Sequence, residues 1–163
     1  MKRSTLLIVL LLWSNFAIAQ NVKLDSKTLS TSVGNWTGTL TYLDYSSGKP
    51  YSMAANLIVR QTKDQSGYVR LFEYPKEPHA NRSDTLFLTK QQFGDSKIVS
   101  FAQYAPGDFT FVTERKDLDG NEQKPALIRQ TYRISPKQYQ LIKEVLFDGS
   151  SQWMKRHEYL FSR

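Results

Sequence analysis

The sequence predicts an all-β domain, a single up-and-down antiparallel β-barrel of about eight to ten strands, and three observations carry that expectation. Apolar residues alternate at period two in one segment after another, as they do in strands with one buried face. Clusters of Gly, Asn, Asp, Ser and Pro separate most of these segments at intervals of about ten to sixteen residues, near the spacing of consecutive hairpins. The pattern is that of a meander rather than of helices or βαβ units, and closing a meander into a barrel removes its unpaired edges. A two-sheet sandwich is compatible with the same strands.

The chain opens on Met1-Lys2-Arg3, continues through the apolar run Leu6 to Trp13, and reaches Ala17-Ile18-Ala19 before Gln20. A positive start, a short apolar stretch and a small-residue cleavage pattern read as a secretory signal cut after Ala19. The run is too short for a spanning helix, which needs about 20 apolar residues, and Ser14 and Asn15 interrupt it. Residues 1–19 are therefore expected to be a signal peptide and residues 20–163 one barrel domain without a membrane anchor. A bacterial periplasm or exterior is the expected location. The chain has no cysteine, which rules out disulfides, a cysteine zinc site, a thiol nucleophile and a lipid-modified cysteine.

Residues 20–33 hold Leu24, Leu29 and Val33 among Ser and Thr and read as a short helix or coil leading to Trp36. The first strand follows, with Trp36, Gly38, Leu40 and Tyr42 on one face. The next has Tyr51, Met53, Ala55, Leu57 and Val59 on its apolar face. Further strands are predicted at about 67–74, 96–104, 108–116, 124–134, 137–147 and 152–162, between turns such as Asp64-Gln65-Ser66-Gly67, Pro106-Gly107-Asp108 and Asp119-Gly120-Asn121. Residues 75–95, with Pro75, Pro78 and Asn81, read as a long connection containing a short strand or one helical turn.

Lys and Arg number 22 against 15 Asp and Glu, a net +7 that falls to +5 once Lys2 and Arg3 leave with the signal. The basic residues are interleaved with acids, as in Glu114-Arg115-Lys116-Asp117, and form no run that could track a phosphate backbone. No nucleic-acid partner is expected. There are two histidines, His79 and His157, and no pair at metal-binding spacing. No metal site is expected. His157 shares a strand face with Trp153, Tyr159 and Phe161, so it reads either as a packed core histidine or, as a minor alternative, as an axial ligand to haem. Asp117-Leu118-Asp119-Gly120-Asn121-Glu122 superficially matches a calcium loop but lacks its distal Glu and reads as a polar hairpin turn. No Gly-x-Ser-x-Gly elbow occurs. Glu73, Glu114, Glu144 and Glu158 lie on strands and could converge as a carboxylate pair, although strand acids more often belong to surface cross-strand pairs.

Aromatic residues make up 13% of the chain and recur on the faces assigned inward, which suits either a lining for an apolar ligand or a barrel packed solid with rings. Gly34-Asn35-Trp36-Thr37-Gly38-Thr39-Leu40 resembles the Gly-x-Trp opening of the lipocalin-like, or calycin, superfamily. Asp148-Gly149-Ser150-Ser151-Gln152-Trp153 through Tyr159 to Arg163 resembles the last hairpin of bacterial lipocalin-like proteins of unassigned function. The resemblance implies a barrel closed at one end by Trp36 with a basic residue packed over it, Arg163 or Arg156, and an internal site for a small hydrophobic molecule. It carries over no catalytic residue. The expected ligand-lining residues are Tyr42, Tyr51, Phe72, Phe111, Tyr132 and Tyr139, with Arg70 or Arg133 meeting a polar head group. The expected function is a non-enzymatic binding protein for a small hydrophobic ligand with no cofactor. A small-substrate hydrolase or isomerase using inward acids, and a filled barrel acting as an interaction module, are the alternatives.

Overall fold

A computed structural model describes residues 23–44 and 48–163. The expected signal over residues 1–19 lies outside the described residues.

The chain forms one antiparallel sheet of ten strands nearly closed into a barrel. The strands are β1 (Gly34–Asp44), β2 (Lys49–Gln61), β3 (Gly67–Glu73), β4 (Arg82–Phe87) and β5 (Gln92–Phe93), followed by β6 (Ser96–Ala105), β7 (Asp108–Asp119), β8 (Lys124–Ile134), β9 (Gln138–Phe147) and β10 (Met154–Ser162). The first and last strands pair, Thr37 opposite Ser162 and Tyr42 opposite His157, which joins the ends of the meander. On the far side β4 and β5 meet through a single bridge, Leu88 opposite Phe93. The connection over residues 75–95 thus holds both a 3₁₀ turn (Pro78–Ala80) and two short strands.

One end, here the lower, is plugged. Helix α1 (Ser26–Leu29) is only four residues long, too short to be stable alone. Asp25 caps it by accepting from the Thr28 N–H at 2.7 Å, and buried Leu29 anchors it to the core. A 3₁₀ turn (Ser30–Ser32) then leads into β1. Above this plug, buried inward residues come from β1, β2, β3 and β7 to β10: Trp36; Leu57 and Val59; Tyr68 and Phe72; Phe109 and Phe111; Tyr132 and Ile134; Tyr139 and Leu141; Tyr159 and Phe161. The rings pack on one another, Phe111 flat on Tyr132 at 4.3 Å between centroids and Phe161 on Tyr159 at 5.6 Å, geometries that aromatic pairs favour.

The β1–β10 seam depends on Gly38. A Cβ there would stand 2.0 Å from the Leu160 carbonyl oxygen and 2.8 Å from the Phe161 Cα, both backbone atoms that move only with the strand. Gly38→Ala is expected to destabilise the protein by about 1–3 kcal/mol through overpacking, read as a lower midpoint in urea denaturation. An unchanged midpoint would mean that the seam tolerates spreading.

The upper end is less complete. Pairing of β6 with β7 stops at Lys97 opposite Glu114, so the last residues of β7 pair only with β8. β9 and β10 slip register between Lys155 and His157, a bulge of the kind that re-aims side chains at a barrel rim.

Candidate functional site

Two carboxylates organise the polar part of the interior. Arg70 lies on β3 between Tyr68 and Phe72 in the inward alternation and is 4% exposed. Its Nε and Nη2 donate to the two Asp84 oxygens at 2.8 and 2.7 Å, a bidentate geometry that matches the guanidinium fork. Arg70 Nη1 reaches the Tyr132 hydroxyl at 3.5 Å. Burial pushes that hydroxyl up to about 12, so it stays protonated and donates to Gln130 Oε1 at 2.8 Å. Arg82, at the start of β4, lies over the Phe72 ring at 4.2 Å and brings Nη1 to 3.6 Å from the same Asp84. Its Nη2 approaches the Tyr159 hydroxyl at 3.5 Å, which is hydrogen-bonded to Tyr74 at 2.6 Å. Asp84 is thus shared by two arginines.

Asp119, at the end of β7, is the second centre. Its side chain is 5% exposed and contacts Lys143 Nζ at 2.5 Å and Arg156 Nη2 at 2.7 Å. The β10 bulge lets Arg156 reach it. Next to this group His157 presents its ring edge to Tyr159 at 5.3 Å. Burial first, then the positive charge of Lys143 and Arg82, lowers its pKa to about 4, so the imidazole is neutral at pH 7.

This carries a pH expectation. Unfolded His157 takes up a proton near its ordinary pKa of about 6.5, whereas the folded protein resists until about 4. Between those values the unfolded state binds more protons, so stability falls as pH drops, at on the order of 1 kcal/mol per pH unit at most. His157→Leu should flatten the difference between urea midpoints at pH 7 and pH 5. An equal slope in the variant would assign the effect to other groups.

Space adjoins both centres. The gap above the start of β6 opens a cleft of about 560 Å³ onto Arg70, Arg82, Asp84, Arg115, Gln130 and Leu141. A second recess of about 280 Å³ at the upper mouth is walled by Leu40, Tyr42, Lys143, Arg156 and His157.

Among solved structures, this chain is similar to Rv2717c from M. tuberculosis, with a TM-score of 0.58 at 9% identity over 87% of this chain and 99% of the other. The likeness is one of fold. A protein of unknown function from the DUF3598 family of Nostoc punctiforme aligns with a TM-score of 0.42 at 10% identity, over 86% of this chain and 49% of its own. No protein-family model and no curated protein matches the sequence.

The predicted aromatic lining residues divide into two groups. Phe72, Phe111, Tyr132 and Tyr139 point inward and are buried, but they fill the barrel against one another, Tyr139 standing edge-on to Trp36 at 5.8 Å. Tyr42 and Tyr51 sit opposite each other at the upper rim, ring centroids 5.6 Å apart. Tyr51 is on the inward face yet 47% exposed, because its strand has reached the mouth. Burial, with Glu77 adding to it, raises the pKa of the Tyr42 hydroxyl.

Of the two candidate arginines, Arg70 faces in. Arg133 does not: flanked by inward Tyr132 and Ile134, it falls on the opposite phase of β8, is exposed, and donates to Gln140 Oε1 at 3.2 Å on the outer face. For closure, Arg163 covers Trp36 at 3.9 Å, while Arg156 is at the other end with Asp119. The strand glutamates form no inward pair. Glu114 bonds Arg129 at 2.6 Å, and Glu158 pairs with Lys155. Among the described residues, no three His, Cys, Asp or Glu side chains gather as a metal site. Arg82, Asp84, Asp119 and Lys143, which build the polar centres, are not among the predicted residues.

Proposed function

We propose that this chain is an exported, lipocalin-like binding protein without catalytic activity that holds a small, largely apolar molecule at the upper end of its barrel. The observation that carries this reading is the contrast between the two ends: rings pack the lower half solid, while Leu40, Tyr42 and His157 surround open space above. The paired-acid enzyme has no corresponding support, since the inward acids Asp84 and Asp119 are each held between two cations rather than beside one another. A filled barrel acting through its surface is the second reading, favoured by the packed rings and by exposed Phe87, Tyr104 and Leu118.

The test is solvent extraction of the protein purified from its own host, with mass spectrometry, together with uptake of fluorescent fatty acids. Saturable uptake that Leu40→Trp abolishes is expected. An empty extract combined with no uptake would reject the container in favour of the surface module.

A further inference from the structure

We propose that two copies of this chain associate through β6, each setting the open edge of that strand antiparallel against the same edge of the other. β6 meets β5 only at Ser96 and Lys97, and the Ile98 N–H donates to the Gln91 carbonyl at 2.7 Å. Beyond that point it has a strand on one side only among the described residues, β7. The other edge is open from Val99 to Ala105, roughly 20 Å of backbone at about 3.3 Å per residue. Such an edge is a template for a further strand.

The residues along this edge suit a partner better than water. Proteins guard exposed edges with charge, proline or a covering element, yet residues 98–105 contain no Asp, Glu, Lys, Arg or Pro in a chain that is 23% charged. Two bulges interrupt the β6–β7 ladder, at Val99 and at Tyr104, and these two side chains are 43% and 68% exposed. Bulges can themselves turn an edge aside, but here they stand at its two ends and leave residues 100–103 in register between them. The start of the chain is too short to cover the edge. Lys23 and Leu24 border it at Ile98 to Phe101, beside Lys90 and Gln91. In the exported form proposed above, cut after Ala19, three residues precede Lys23, and they span about 10 Å at most.

Charge placement selects a second copy as the partner. A two-fold axis at Ala102, an exposed small residue at the middle of the open stretch, sets the strand against itself in reverse. Ser100 then lies opposite Tyr104 of the second copy, Phe101 opposite its Gln103, and Val99 opposite its Ala105. Lys97, at one end of the strand, falls opposite Gly107 of the second copy and next to Asp108 at the other end. The same contact recurs on the far side of the axis, so two opposite-charge pairs flank an uncharged centre. Neither residue has an ion pair among the described residues: Glu114, across the β6–β7 ladder from Lys97, is held by Arg129. Lys23 and Lys90 stand at the same end as Lys97, so a parallel pairing would bring cation against cation. The antiparallel pair uses one patch on both copies and closes on itself.

Sedimentation velocity of the exported form, from low micromolar to near-millimolar concentration, should show a reversible monomer–dimer equilibrium. Hydrogen exchange over residues 99–105 should slow as the dimer fills. Ala102→Glu sets two carboxylates opposite each other at the axis and should weaken the dimer about tenfold or more, with thermal melts confirming that the variant folds. Lys97→Glu should weaken it several-fold, and Lys97→Glu with Asp108→Lys should restore it. A monomer at every concentration, or a dimer indifferent to Ala102→Glu, would overturn the proposal. Loss with Ala102→Glu but no rescue by the charge exchange would uphold the edge and overturn the position of the axis. Protection of 99–105 that is independent of concentration and lost on removing residues 20–22 would give the edge to the chain's own start and overturn the second copy. All of these are read without a ligand, so an empty barrel leaves them unaffected, and the intact mass of the exported protein reads the cut separately.

Discussion

Trp36→Ala is expected to lower stability by about 3–5 kcal/mol, the range for emptying a buried large aromatic site, and to depress the melting temperature by about 10 °C or more. The indole is 1% exposed and joins the parts that close the lower end. Its Nε1–H donates to the Ser32 carbonyl at 2.8 Å, its edge meets Tyr139, and the Arg163 guanidinium covers its face at 3.9 Å. Arg163 in turn donates to the carbonyls of Thr31, Val33 and Pro136 at 2.9, 2.6 and 2.9 Å. Without the ring, the Ser32 carbonyl loses its donor and the arginine its platform. Arg163→Ala should cost less, about 1–2 kcal/mol, because that side chain is largely at the surface and its loss leaves the ring packed. Urea denaturation of both variants provides the comparison. A Trp36→Ala loss smaller than that of Arg163→Ala would mean that the end is held by its backbone bonds rather than by the indole.

The strands were legible where burial on one face forces alternation, and they became illegible where the inward face carries charge. Over residues 124–134 and 137–147, Ala126, Ile128, Tyr132 and Ile134, then Tyr139, Leu141 and Val145, mark the inner side unambiguously. β4 defeats the same rule because its inward positions are Arg82, Asp84 and Leu86, two of them ionised, so an interior strand reads like a polar connection. β5 is two residues long and leaves no period to detect. Lys143 was readable in principle, since it continues the Tyr139, Leu141 alternation, but a lysine in that series gives no sign that Asp119 waits two strands away. Asp119 itself belongs to a segment whose Gly120 and Asn121 mark a turn, and turn acids ordinarily face water. The error at Arg133 is one of phase: Arg70 alternates with Phe72, whereas Arg133 alternates against Tyr132. Whether inward rings fill a barrel or line it depends on packing across strands, which no single strand's pattern contains.

Asp84→Ala is expected to cost about 3–5 kcal/mol, because it strands a buried cation. Arg70 cannot shed its charge by deprotonation, and with 4% exposure it has little access to water once its two short bonds are gone. The outward pair Glu114–Arg129 supplies the contrast. It has similar contact geometry at 2.6 Å but lies on the barrel exterior, its arginine 34% exposed, so Glu114→Ala should cost under about 1 kcal/mol. The double variant Arg70→Met with Asp84→Leu should recover much of the single loss, since an apolar pair of similar volume often equals or betters a buried ion pair. Chemical denaturation of the wild type and these three variants makes the comparison. If Asp84→Ala were no worse than Glu114→Ala, the charge of Arg70 would have to be met by water or by a retained anion, and removing bound small molecules before the measurement would separate those two cases. The size of the Asp84 effect therefore also measures how strongly the interior calls for a negative group.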